Sequence, residues 1–216
     1  MRGELLIRTD VEAAFEDDFN AWYDREHMAE RAAIAGFLWS RRYVRLDPAE
    51  GGTAGPRYLA LYQTMSLDVF RSAPYRAAFG QQTPWSVANF GRMRNTTRRV
   101  CAVSRFLAPG TGACIALIEG DAATAGAVID RLAAQGAEAG LIGGRLLQPD
   151  PELSTPLPSE TTGARPMTPF VVAEATTPAG LAALHRLVAD LVPATAVAGY
   201  RLLWDLQARD LAAPSS

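Results

Sequence analysis

The segment AGFLWSRRYVR at 35–45 lines up with AGLIGGRLLQP at 139–149, and RYLALYQTMS at 57–66 lines up with PFVVAEATTP at 169–178. A chain that repeats itself must bury the same supersecondary unit twice, which constrains its architecture more than any single motif does. Apolar runs predict strands at Leu5–Thr9, Phe37–Leu46, Tyr58–Thr64 and Arg98–Leu107, then again at Ala113–Glu119, Leu141–Gln148, Phe170–Ala175 and Ala196–Leu206. The first set encloses a long helix, from an N-cap at Asp10 to about Ala33 with Gly36 ending the connection. It also encloses a series of short helices begun by Ser66, Ser72 and Thr83, with Pro74 and Pro84 in first turns where a missing N–H does no harm. Helices at Asp121–Gln135 and Pro178–Leu191 take the same places in the second set, so the order β-α-β-β-α-β occurs twice, over 1–110 and 111–216.

A unit of this order makes an antiparallel sheet with both helices on one face, which leaves the other face in need of cover. At 216 residues each unit is near the lower limit for folding alone, so each can supply the other's cover. Central strands such as YLALY are apolar at both parities, as sheets covered on both sides require. The Pro/Ser/Thr-rich segment 149–169 joins two strands of the second unit and exceeds ordinary loop length, so it is either a mobile excursion or a flap over a neighbouring cavity.

A net charge of −2 gives no electrostatic case for nucleic acid or an anionic membrane. No apolar run suits a signal peptide or a membrane span, and a cytoplasmic location is expected. All 21 basic residues are Arg, which excludes lysine Schiff-base chemistry but leaves many groups able to hold an anion. Cys101 and Cys114 sit in apolar runs, as buried thiols do. Neither a phosphate-binding glycine loop nor a nucleophile elbow is present.

The stretches FNAWYDREHMAERAAIAGFLWSRRYV, PRYLALYQ, SAPYRAAFGQQTPW and NTTRRV together resemble the dimeric α/β-barrel superfamily, and within it the EthD-like proteins. The resemblance covers most of 15–105; the second half shares only the element order. It implies an α+β fold of two ferredoxin-like units in one chain, their sheets packed face to face as a pseudo-dimeric α/β barrel. It also implies a pocket in each unit between sheet and helices. Relatives include cofactor-free cyclases and oxygenases, isomerases and haem-degrading enzymes, so the fold does not fix a reaction.

Helical spacing puts Phe15, Phe19, Trp22, Ala29 and Ala33 on one face with Glu26 at its middle, and thus aims a carboxylate at the sheet. Beyond Trp22 this face carries only small residues and acids, leaving room for a ligand. Tyr23, His27 and Glu30 lie at its rim. A histidine beside carboxylates suits general acid/base work: His27 is the candidate acid or base, Glu26 or Glu30 its partner, and Tyr23 a donor to an oxyanion. A structural alternative is an exposed His27, with Glu26 paired to Arg41 or Arg42 and Trp22 in the core. Trp22, Tyr43, Tyr62, Trp85, Asn89 and Arg42 are the candidate substrate-binding residues. Arg41 and Arg42 face opposite sides of the sheet, so at least one enters a covered layer and needs an acid or an anionic substrate.

No metal site is expected, because Glu26, His27 and Glu30 lack a further converging ligand and the other histidine, His185, lies in the second unit. By the resemblance His185 could ligate a haem iron; by its apolar stripe it is a half-buried helix residue. The expected function is therefore a cofactor-independent acid/base enzyme acting on a small hydrophobic aromatic or carbonyl metabolite, of cyclase, isomerase, dehydratase or oxygenase type. The alternatives are a non-catalytic barrel that binds small molecules and a haem-binding protein. Homodimer assembly beyond the intrachain pairing is left open.

Overall fold

The computed structural model describes residues 1–47, 55–160 and 165–211; the stretch EGGTAG, turn-like in its sequence, lies almost wholly outside them. Eight strands form a closed antiparallel barrel: β1 (Gly3–Val11), β2 (Phe37–Arg45), β3 (Tyr58–Thr64), β4 (Met93–Pro109), β5 (Cys114–Glu119), β6 (Gly143–Pro149), β7 (Phe170–Ala175) and β8 (Val197–Gln207). Around the barrel the order is β1-β3-β2-β8-β5-β7-β6-β4. The first four strands run β4-β1-β3-β2 and the last four β8-β5-β7-β6; β2 pairs with β8 and β4 with β6, so no edge is left unpaired. The sheets therefore join along both margins besides facing each other.

Alternation divides the side chains into an inner and an outer set. Leu6, Tyr43, Leu59, Leu61, Cys101 and Phe170 form one buried cluster, which fills the barrel. Leu5, Ile7, Tyr58, Ala60, Tyr62 and Val100, their neighbours of opposite parity, pack under the first-half helices. Beneath α5 (Ala122–Gln135) and α6 (Pro178–Val188), a third cluster includes Val128, Ile129, Leu132, Leu181, Leu184 and Val188, each 0 or 1 % exposed.

Of the four capping residues read from the sequence, two act as caps. Ser72 Oγ accepts from Tyr75 N to open α3 (Ala73–Gly80), and Thr83 Oγ1 accepts from Ser86 N to open α4 (Pro84–Arg92). Asp121 and Thr177 open α5 and α6 in the same way. Asp10 does not cap a helix: it lies in β1, and its carboxylate accepts from Arg57 N at 2.7 Å and Asn95 Nδ2 at 2.9 Å. Ser66 precedes only a 3-10 turn and makes no side-chain cap. Gly36 has φ +92°, and a Cβ there would stand 2.6 Å from Val69, so this reversal into β2 requires glycine.

The long first helix is not one α-helix. It comprises a 3-10 turn at Ala13–Phe15, α1 (Glu16–Trp22), a π turn at Tyr23–His27 and α2 (Met28–Ala32). A π turn takes an additional residue per turn and so advances the phase of everything after it. His27 is thereby turned inward, 3 % exposed, and Glu26 is carried off the sheet-facing line.

The segment after β6 folds back over the first half. Ser154, fully buried, bonds both the N–H and the carbonyl of Val100 in β4, at 3.0 and 3.2 Å. Arg98 Nη1 donates to the carbonyls of Leu153 and Thr155, each at 2.9 Å, and Arg99 pairs with Glu160 at 2.6 Å. Leu157, carried across by this strap, enters the cluster beneath the first-half helices. Of the two readings of this segment, the flap fits its described part.

Candidate functional site

His27 is packed among aromatic rings. It stacks on Trp22 at 4.3 Å between centroids and meets the edges or faces of Tyr23, Phe90 and Tyr62 at 5.2, 5.6 and 6.3 Å. Burial pushes its pKa down to about 4, so the imidazole is neutral at pH 7. Its Nδ1 lies 3.8 Å from Glu30 Oε2, too far for a hydrogen bond, and is buried with no partner.

One wall of a narrow chamber is His27; Arg31, Tyr62, Gln82, Arg98 and Leu157 supply much of the rest. The chamber has about 20 Å³ of free space, enough for one water-sized group. It continues, past Phe79, Gln82, Phe90 and Leu157, into an outer apolar groove of about 410 Å³ that Val87 and Pro158 extend to the surface. Buried polar atoms without a partner gather here: His27 Nδ1, Arg31 Nε, the Tyr62 hydroxyl and Gln82 Oε1 all belong to residues lining this one chamber. Tyr62 lies near the Tyr23 hydroxyl but without normal hydrogen-bond geometry, and burial raises the pKa of both phenols. Native interiors rarely leave such groups unpaired, so this chamber is the candidate site.

The other sequence candidates divide. Trp22 backs the His27 ring, Tyr23 touches its edge, and Glu30 stands by Nδ1. Glu26 does not face the sheet: its Oε1 accepts from Thr83 Oγ1 at 2.6 Å, Ser86 Oγ at 3.1 Å and Trp22 Nε1 at 3.2 Å, tying the π turn to the start of α4. Tyr43 does not share a face with Tyr62; it points into the barrel, because β2 puts it opposite Leu59 while Ser40 stands opposite Tyr62. Trp85 and Asn89 gather with Arg92 around Asp18 rather than lining the chamber. Arg42, 2 % exposed, lies over the rings of Phe19, Tyr23 and Tyr58 at 5.3, 4.2 and 4.7 Å and donates to Asn20. Arg41, facing the other way as its parity requires, finds acids inside the barrel: Asp205 at 3.0 Å and Glu174 at 3.6 Å.

Arg31, Arg98, Gln82 and Leu157 were not read from the sequence as site residues. Arg31 stands four residues after His27 and so shares its side of the helix, a signal the spacing does contain. Leu157 arrives by a long-range fold-back with no local signature. Because Thr83 both caps α4 and donates to Glu26, Thr83→Ala is expected to lower stability by about 2 kcal/mol in urea unfolding.

The haem alternative rests on His185, in α6. His185 Nε2 is buried without a partner, and its pKa is lowered by burial, but the space beside it lies by Arg186, Ala189 and Pro193 near the end of α6.

No protein-family model and no curated protein matches the sequence. Solved structures do. An anthrone oxidase-like protein aligns over 100% of this chain and 96% of its own, with TM-score 0.62 and 12% identity. A presumed monooxygenase from Lactobacillus acidophilus aligns over 96% of each chain with TM-score 0.53 and 6% identity, and a presumed chlorite dismutase over 97% of each with TM-score 0.51 and 12% identity. Identities this low show the fold alone, a closed antiparallel α+β barrel that this chain shares with these structures.

Proposed function

We propose that this chain is a cofactor-independent acid/base enzyme acting on a small hydrophobic aromatic or carbonyl metabolite, with its chemistry in the chamber beside His27. The observation that carries the reading is the set of four unpaired buried polar groups around one small space that opens into an apolar groove. A neutral imidazole can accept a proton, and a buried phenol that stays protonated, Tyr62, can donate to the substrate oxygen. Trp22 fixes the ring plane, and Glu30 is near enough to stabilise the imidazolium as it forms. Glu26 is a positioning residue in this scheme. The kinship with EthD-like proteins, and the division into two ferredoxin-like units at 1–110 and 111–216, belong to the same proposal; the identical strand orders β4-β1-β3-β2 and β8-β5-β7-β6 support the division.

Among the reaction types open to such a site, oxygen-dependent oxidation of an acidic C–H is favoured by the description of one structural neighbour. With anthrone as probe, His27 would take a proton from the central methylene. The carbanion would then react with dioxygen: the carbon loses both hydrogens and gains one oxygen as a carbonyl, and the second oxygen leaves as water, giving anthraquinone. Under air, His27→Gln is expected to lower anthraquinone formation about a hundredfold or more, with the circular dichroism spectrum retained. Equal rates in the two proteins would end the proton-transfer assignment.

A further inference from the structure

We infer that this site, if it works as just proposed, takes its substrate as an oxyanion: an ionised phenol or enol whose single oxygen enters the chamber while its flat apolar body lies in the groove. Two guanidiniums line the chamber, Arg31 at 5 % and Arg98 at 2 % exposure. Neither forms an ion pair with a carboxylate among the described residues. Arg31 donates from Nη2 to the Ala78 carbonyl at 3.2 Å, and its Nε–H has no acceptor. Arg98 is held only by neutral groups: the carbonyls of Leu153 and Thr155, the Thr155 hydroxyl, and Tyr75 Oη at 2.9 Å.

The other buried arginines are treated differently. Arg41, Arg99 and Arg145 each meet a carboxylate, and Arg42 sits among aromatic rings with Asp24 at 3.7 Å. A buried cation without an ion-pair partner is costly, and two beside one space make it positive, offset in part by Glu30, whose pKa His27 and Arg31 lower. The groups facing that space are His27 and Tyr62, both neutral at pH 7, and the Tyr75 side chain, with the Glu30 carboxylate behind His27 Nδ1. Two donors of the lining residues are unused, Arg31 Nε–H and the Tyr62 hydroxyl. Free space of about 20 Å³ admits one oxygen and not a phosphate, while Phe79, Val87, Phe90 and Leu157 offer a ring-sized apolar wall outside it. The guanidiniums also remedy a weakness of the base, since they stabilise the charge that proton loss creates, and the bound anion in turn favours the imidazolium.

The test uses para-nitrophenol, whose anion absorbs visible light, and its methyl ether para-nitroanisole, which cannot ionise. Bound to the full chain, the phenol is expected to ionise about one pH unit or more below its value in free solution, and the phenolate to bind about tenfold more tightly than the ether. Arg31→Met should abolish the shift and leave ether binding in place, whereas Arg31→Lys should keep most of it. Should Arg31→Met fail to fold, the wild-type comparison of phenolate and ether still decides. A bound phenol that titrates as it does in water, or an ether that binds as well as the phenolate, would overturn the inference. His27→Gln separates the two readings: if the spectral shift persists while anthrone turnover is absent even in the unaltered protein, oxyanion binding stands and the catalytic proposal falls.

Discussion

Arg145→Met is expected to destabilise the protein by about 3–5 kcal/mol in urea unfolding, the largest loss anticipated for a single side chain outside the aromatic core. Arg145 is 3 % exposed inside the barrel. It grips Glu4 through Nε at 2.8 Å and Nη2 at 2.9 Å, and Glu174 through Nη1 at 2.6 Å. Burial alone would lower its pKa, but these two carboxylates outweigh burial and raise it, so the guanidinium is firmly charged. Gln63 and the Gly112 N–H complete the acceptors' shells at 3.0 and 2.7 Å. Methionine would leave two carboxylates, 0 and 1 % exposed, with only Arg41 at 3.6 Å from Glu174. The same reasoning predicts that Arg145→Met with Glu4→Gln is less damaged than Arg145→Met alone, because one stranded charge is then gone. A loss below about 1 kcal/mol would show that the interior cluster is hydrated enough to dispense with its cation.

The second large effect is a pH dependence of stability traced to His27. Its pKa falls from 6.5 in the unfolded chain to about 4 in the folded one, chiefly by burial. Between these values the unfolded chain binds the additional proton, so stability is complete above pH 6.5 and declines as pH falls toward 4, by about 3 kcal/mol in all. His185, whose pKa is also lowered by burial, contributes with the same sign. The measurement is therefore a difference: unfolding free energy against pH for the wild type and for His27→Gln, whose profile should be markedly flatter between pH 6.5 and 4. Parallel profiles would mean that His27 is hydrated in the native state.

What could be read from the sequence follows from the range of the interactions that decide each feature. Strand positions depend on local alternation, and Tyr58–Thr64 and Phe170–Ala175 have the bounds that their apolar runs predict. The opposed destinies of Arg41 and Arg42 likewise follow from the two-residue period of a strand. The first helix yielded its location and its histidine, but not its phase. Spacing at an α-helical period aims Glu26 inward; the π turn at Tyr23–His27 gives that place to His27 and hands Glu26 to Thr83, the N-cap of α4, and to Ser86 in its first turn. Tyr43 was grouped with Tyr62 because adjacent strands carry both, but their register sets them on opposite faces. The Leu153 and Thr155 carbonyls that hold Arg98 lie more than fifty positions from it, and Leu157 arrives with them, so no window of sequence contains that relation.

The fold-back of 150–160 has a further consequence. The roof of the His27 chamber is tethered to β4 but is encoded between β6 and β7. A fragment ending near residue 110 would keep every imidazole, phenol and guanidinium of the chamber and still leave it open to water, with β2 and β4 lacking their neighbours β8 and β6. Severing the chain there would unroof the chamber without touching any residue that lines its floor.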